Sequence, residues 1–166
     1  MTEPRLTRLR RQFRSAAEVR LFVRMLALAT VLPLLLRRLS VPRLLQLLTP
    51  RARVGTPAGT ERVERLVGYS NIILYRRFWV YRPNCLKRSL LLYYFLRQAG
   101  YEVQLYLGVQ PAALDSEKGG HAWLMYRGEP FQEPQSERLV DYVVTYRYPD
   151  NSSQGQVNAP APAAFS

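Results

Sequence analysis

The chain has one cysteine and one histidine in 166 residues. A single thiol excludes an internal disulfide framework. With one imidazole beside it, the pair falls short of the four ligands of a structural zinc site, so no metal centre is expected. Acidic side chains are scarce in the first 100 residues, which hold four of the 12 (Glu3, Glu18, Glu61, Glu64). Long apolar runs are lacking too. The longest, Met25 to Leu36, covers 12 residues and contains Pro33, where a membrane span needs roughly 20. There is no internal repeat.

What is present describes a folded chain. The hydrophobic fraction is 48%, with 11 tyrosines, six phenylalanines and two tryptophans, enough for one domain with its own core. The net charge is +12 and uneven. Residues 1–100 carry 20 of the 24 basic side chains and a balance of +16, against −4 for residues 101–166. A basic half implies an anionic partner, such as an acidic peptide or a membrane surface. Nucleic acid is not expected, because no recognition motif accompanies the arginines.

Three segments follow from composition. Residues 1–60 form a basic Leu/Arg-rich helical region ending in a linker, 61–149 a catalytic domain, and 150–166 a disordered tail rich in Ser, Asn, Ala and Pro. Residues 17–48 read as one or two amphipathic helices with Pro33 and Pro42 as breaks or starts. They pack on the catalytic domain or lie on a membrane surface. No cleavable export segment is evident, so the expected location is the cytoplasm, peripheral to the membrane if these helices touch it.

From Glu61 to Val80 the pattern is helical, with Val63, Leu66, Val67, Ile73, Leu74 and Phe78 inward. A second helix starts after Asn84, an N-cap residue, and stops at Gly100. Its Leu86, Leu90, Leu91, Tyr94 and Phe95 leave little polar circumference, so it is central and buried. The period then changes to two. Val103, Leu105, Leu107 and Val109 alternate along a half-buried strand. Further strands are predicted at His121–Tyr126, around Phe131–Glu133, and over Leu139–Tyr148.

This layout puts the thiol of Cys85 at a helix start, where exposed amides, the helix dipole and the charges of Lys87 and Arg88 favour a thiolate. His121 opens a strand after Gly119-Gly120, whose lack of side chains lets another element approach. A helix N-terminus facing a strand end makes Cys85 a nucleophile and His121 its base. A third group must orient the imidazole. A hairpin centred on Arg127 sets Glu133 opposite His121; a two-residue turn shifts the register by one and leaves Gln132 and Asp141 as alternatives. The Cys85 backbone amide is a candidate oxyanion donor, with Leu86 and Gln132 as further substrate or oxyanion candidates. Trp123 shares the pleat face of His121 and is a candidate wall of the site.

The residues CLKRSL from Cys85, LRQAG from Leu96, LGV from Leu107 and HAW from His121 together resemble the transglutaminase-like leader peptidases of lasso-peptide biosynthesis. That resemblance covers about residues 80–147. It implies an α+β fold, a transglutaminase-like or papain-like core with a central helix on a small antiparallel sheet and an N-terminal helical region. It also implies cleavage of a leader from a ribosomally made precursor by a Cys–His–Asp triad. By position the triad falls on Cys85, His121 and Glu133, the last keeping the family's charge but adding a methylene. The implied partners are the precursor peptide, a separate leader-recognition protein and an asparagine-synthetase-like cyclase. No cofactor is required by such a site, and an ATP requirement is not legible. The competing expectation is a non-catalytic transglutaminase-like binding or assembly protein in the same kind of complex.

Overall fold

The structure is a computed structural model, and it describes residues 15–50, 58–75, 84–111, 119–133 and 136–150. Phe78 and the rest of the expected helix end at 76–80, and the segments 1–14 and 151–166, lie outside the described residues.

Four helices precede the sheet: α1 (Ala16–Arg38), α2 (Val41–Leu48), α3 (Thr60–Tyr75) and α4 (Cys85–Gln98). Helix α1 starts where the Ser15 side chain accepts the Glu18 amide. Pro33 does not break it: the helix runs through to Arg38, with Leu32 fully buried beside the proline. Packing of that turn offsets the amide that proline lacks. Pro42 behaves as expected and opens α2, where a missing N–H costs nothing.

These helices share one hydrophobic core with the rest. Met25, Ala29 and Leu32 of α1 and Leu44, Leu45 and Leu48 of α2 meet Val63, Leu66 and Ile73 of α3 and Leu90, Leu91, Leu92 and Leu96 of α4. Arg65 of α3 pairs with the buried Glu18 of α1, and Thr49 after α2 bonds the Tyr93 hydroxyl at 2.9 Å. Helix α4 is the hub, with seven of its 14 residues buried, in line with its near-continuous apolar circumference.

The sheet is antiparallel, in the order β3-β2-β1-β4. Its strands are β1 (Gln104–Val109), β2 (Gly120–Tyr126), β3 (Glu129–Pro130) and β4 (Val143–Tyr148). In β1 and β2, Leu105 pairs with Leu124 and Leu107 with Ala122 on the face toward α4, while Tyr106 pairs with Trp123 and Gly108 with His121 on the other.

Two strand expectations need correction. The third strand is only Glu129–Pro130, because the hairpin turns on two residues, Arg127 and Gly128, both at positive φ (52° and 86°). That is a turn whose twist matches the flanking strands. The centre therefore lies between 127 and 128, and straight registry does not set Glu133 opposite His121. The fourth strand starts at Val143; Ser136–Asp141 form a 3₁₀ helix instead.

Candidate active site

The site lies where the N-terminus of α4 meets the start of β2. Asn84 caps the helix, its side-chain oxygen accepting the Leu86 amide at 2.7 Å, so Cys85 is the first helical residue. One turn on, the Ser89 hydroxyl donates to the Ala122 carbonyl at 2.9 Å, in a fully buried contact. This bond fastens the helix start to the strand carrying His121. The Cys85 thiol is half-buried and also points a weak S–H contact of 3.6 Å at Asn84 Oδ1.

Burial by itself pushes the Cys85 thiol up. Hydrogen bonding to His121, the backbone of Ala122 and Leu86, and the charge of His121 outweigh that, so the thiol ends below its ordinary value. His121 moves the other way, from 6.5 to about 9, because the Cys85 sulfur and then the Glu133 carboxylate hold its proton against the desolvation that opposes them. Opposite shifts in the two partners both favour the thiolate–imidazolium form of the pair.

Glu133 is the third group. Its Oε1 stands 3.4 Å from His121 Nε2, which leaves Nδ1 as the nitrogen for the thiol. Glu133 arrives there through Gln132, whose φ of +52° kinks the chain after Phe131. Helix α4 anchors the kink: Arg88 Nη2 donates to the Gln132 carbonyl at 2.9 Å, and Nη1 lies 4.0 Å from Glu133 Oε2. The guanidinium expected to favour the thiolate is thus directed at the carboxylate instead. Only 9% of the Glu133 side chain is exposed, so the pairing acts in a partly desolvated setting.

Trp123 walls the imidazole, its ring stacked at 5.8 Å and 17°, and is itself buried. The close approach needs Gly108 beneath it. A Cβ there would stand 2.8 Å from Trp123 Cη2 and 3.1 Å from Tyr142 Cβ. Tyr142 covers the ring from another side at 5.4 Å.

The remaining candidates sit at the margin. The Leu86 amide is shared between Asn84 Oδ1 and the Cys85 sulfur, and the Leu86 side chain packs on the core. The Gln132 side chain is exposed. Asp141 lines a cleft of about 260 Å³ beside His121, together with Gln110, Arg138, Leu139 and Tyr142.

Reading the sequence missed the roles of Arg88, Ser89, Gly108 and Tyr142. Arg88 and Ser89 had a signal, since positions three and four beyond Cys85 share its helix face. Gly108, a glycine inside an alternating strand, marks a close approach. Nothing local pointed to Tyr142.

A helix-start thiol, a strand-start imidazole and a largely covered carboxylate on an α+β scaffold define a transglutaminase-like domain. The chain belongs to the transglutaminase-like superfamily, whose family model matches residues 26–147, from within α1 to the end of β4. That superfamily includes cysteine peptidases. No curated protein and no solved structure gives a match.

Proposed function

We propose that this protein is a cysteine peptidase that removes the leader from a ribosomally synthesised lasso-peptide precursor. The observation that carries the reading is the Cys85–His121–Glu133 arrangement, with the thiol lowered and the imidazole raised to about 9. The substrate class rests on the CLKRSL, LRQAG, LGV and HAW series, which resembles the leader peptidases.

In the reaction, thiolate Cys85 attacks the leader–core amide carbonyl. The oxyanion forms beside the helix start, where the Cys85 backbone amide is a donor. His121 Nδ1–H protonates the departing core amine, leaving the leader as a thioester on Cys85. Water, deprotonated by the now neutral His121, releases the leader acid and restores the thiol pair. Glu133 keeps the imidazole oriented and its positive form favoured. The chemistry calls for no cofactor. A separate leader-recognition protein would present the leader, an asparagine-synthetase-like cyclase would receive the core, and both would work in the cytoplasm.

The test is cleavage of a precursor peptide in the presence of the leader-recognition protein, followed by mass spectrometry. The wild-type chain releases leader and core. Cys85→Ala lowers the rate by at least about a thousandfold while partner binding persists. Cleavage that survives Cys85→Ala at the wild-type rate would falsify the reading.

A further inference from the structure

We infer that the outward face of α1 is an in-plane docking surface for an anionic lipid bilayer. The helix has two apolar faces. Met25, Ala29 and Leu32 point into the core. On the other side Val19 (44% exposed), Val23 (54%), Val31 (44%) and Leu34 (59%) face solvent. Successive residues turn by about 100°, which puts Val19, Val23, Ala27, Val31 and Leu34 in one stripe roughly opposite Met25 and Leu32.

Charge says what covers this stripe. Arg20 flanks its first half, and Arg37 and Arg38 close its far end, all three exposed. Arg24 is turned onto α4 instead, donating to Gln98 Oε1 at 3.0 Å and lying over the Phe95 ring. Arg20 and Arg37 are separated by about 25 Å along the axis at ~1.5 Å per residue. The one acidic residue of α1, Glu18, lies on the buried side and pairs with Arg65. Among the described residues, the outward face of α1 is therefore apolar in the middle apart from Thr30, whose hydroxyl is bonded to the Leu26 carbonyl, cationic at both ends and without a carboxylate. Five more arginines (Arg5, Arg8, Arg10, Arg11, Arg14) precede the helix in sequence. An apolar stripe framed by arginines matches a surface whose apolar interior lies beneath a layer of negative head groups.

By length and composition α1 is also apolar enough to cross a membrane. Crossing would pull Met25 and Leu32, both essentially inaccessible, out of the core. Lying flat keeps the core intact and wets neither face. The inference is independent of whether Cys85 cleaves a peptide.

The experiment is co-sedimentation of the full chain with vesicles of phosphatidylglycerol and phosphatidylcholine, against phosphatidylcholine alone. Pelleting is expected with the anionic vesicles only. Val23→Glu and Leu34→Glu should each lower the partition coefficient on the order of tenfold. Val140→Glu, at a residue 87% exposed on the 3₁₀ helix, adds the same charge elsewhere and should change it less than about twofold. Circular dichroism confirms that each variant is folded. Three results overturn the proposal: no pelleting with anionic vesicles, equal effects of Leu34→Glu and Val140→Glu, or lipid-free self-association that Leu34→Glu abolishes. The second would mean that overall charge alone binds lipid, and the third that a second copy covers the face.

Discussion

The two faces of the sheet are built from different side chains and serve different ends. Toward α4 the registers hold Leu105, Leu107, Ala122 and Leu124, aliphatic or small groups, and the three leucines share one core with Leu90 and Leu91. On the opposite registers stand Tyr106, Gly108, Trp123 and His121, joined by Tyr142, in a cluster of rings. The aliphatic face is featureless in chemistry and holds the fold together. The aromatic face adds little to the central core but fixes the imidazole from two sides. The lesson is a division of labour across one sheet: substitutions on the first face should cost stability, and those on the second should cost activity.

The sharpest way to break that comparison is at Leu105, which is fully buried. Leu105→Ala should destabilise the domain by about 2–5 kcal/mol, read from denaturant unfolding. A loss of activity without that loss of stability would mean that the aliphatic face is part of the site. Next in size is Glu133→Gln, which keeps the shape and removes the charge. Precursor cleavage, as kcat/KM, should fall about a hundredfold, some 2.7 kcal/mol, with the unfolding midpoint nearly unchanged.

The pH profile follows from the same residues. The proposed cleavage needs the thiolate and the protonated imidazole together. It should rise through the lowered Cys85 value and fall as His121 loses its proton near pH 9. The raised folded-state value also means that the His121 contribution to stability is fully present below its ordinary 6.5 and is lost as pH rises through about 9. Glu133→Gln removes one support of the imidazolium, so the alkaline limb should move down. An alkaline limb that stays in place would show that Glu133 does not touch the reacting imidazole in solution.

Gly108→Ala comes third. The new Cβ would meet the Trp123 ring at 2.8 Å, so the ring must move and His121 with it. An overpacking cost of about 1–3 kcal/mol is expected. The activity should fall about tenfold even where the protein is fully folded, because the imidazole is mispositioned. Retained activity with reduced stability would assign Gly108 to the fold alone.

Much of this was legible beforehand, for identifiable reasons. Helix α4 was readable because Asn84 caps it, Gly100 follows it and its leucines leave little polar surface. The strands β1 and β2 were readable from a clean period of two. Cys85 and His121 stood out by being the only residues of their kinds. The length of α1 was not readable, because tolerance of Pro33 depends on the tertiary packing of Leu32 and its neighbours, which no local rule carries. Of the two hairpin registers left open, the two-residue turn is the one that forms; it could not be chosen beforehand because Arg127 adopts a left-handed conformation that sequence statistics assign to Asn or Gly. Glu133 was named from the resemblance and from a register that the chain does not follow; a kink at Gln132 and an anchor from Arg88 bring it to His121 instead.

Gln132 offers the smallest and most discriminating test. As a side chain it was a candidate for substrate or oxyanion contact. In the structure that side chain is exposed, while its backbone sets the approach of Glu133: a φ of +52° and a carbonyl bonded to Arg88. A left-handed conformation is unfavourable for glutamine and free for glycine. Gln132→Gly should therefore raise stability by about 0.5 kcal/mol, the relief of strain exceeding the added freedom of the unfolded chain. If the backbone is what matters, cleavage stays within about threefold of wild type, because the Arg88 bond and the approach of Glu133 survive. A tenfold loss of kcat/KM at unchanged stability would return the side chain to the substrate. It would also move the boundary of the site from the aromatic face out to the exposed edge beyond β3.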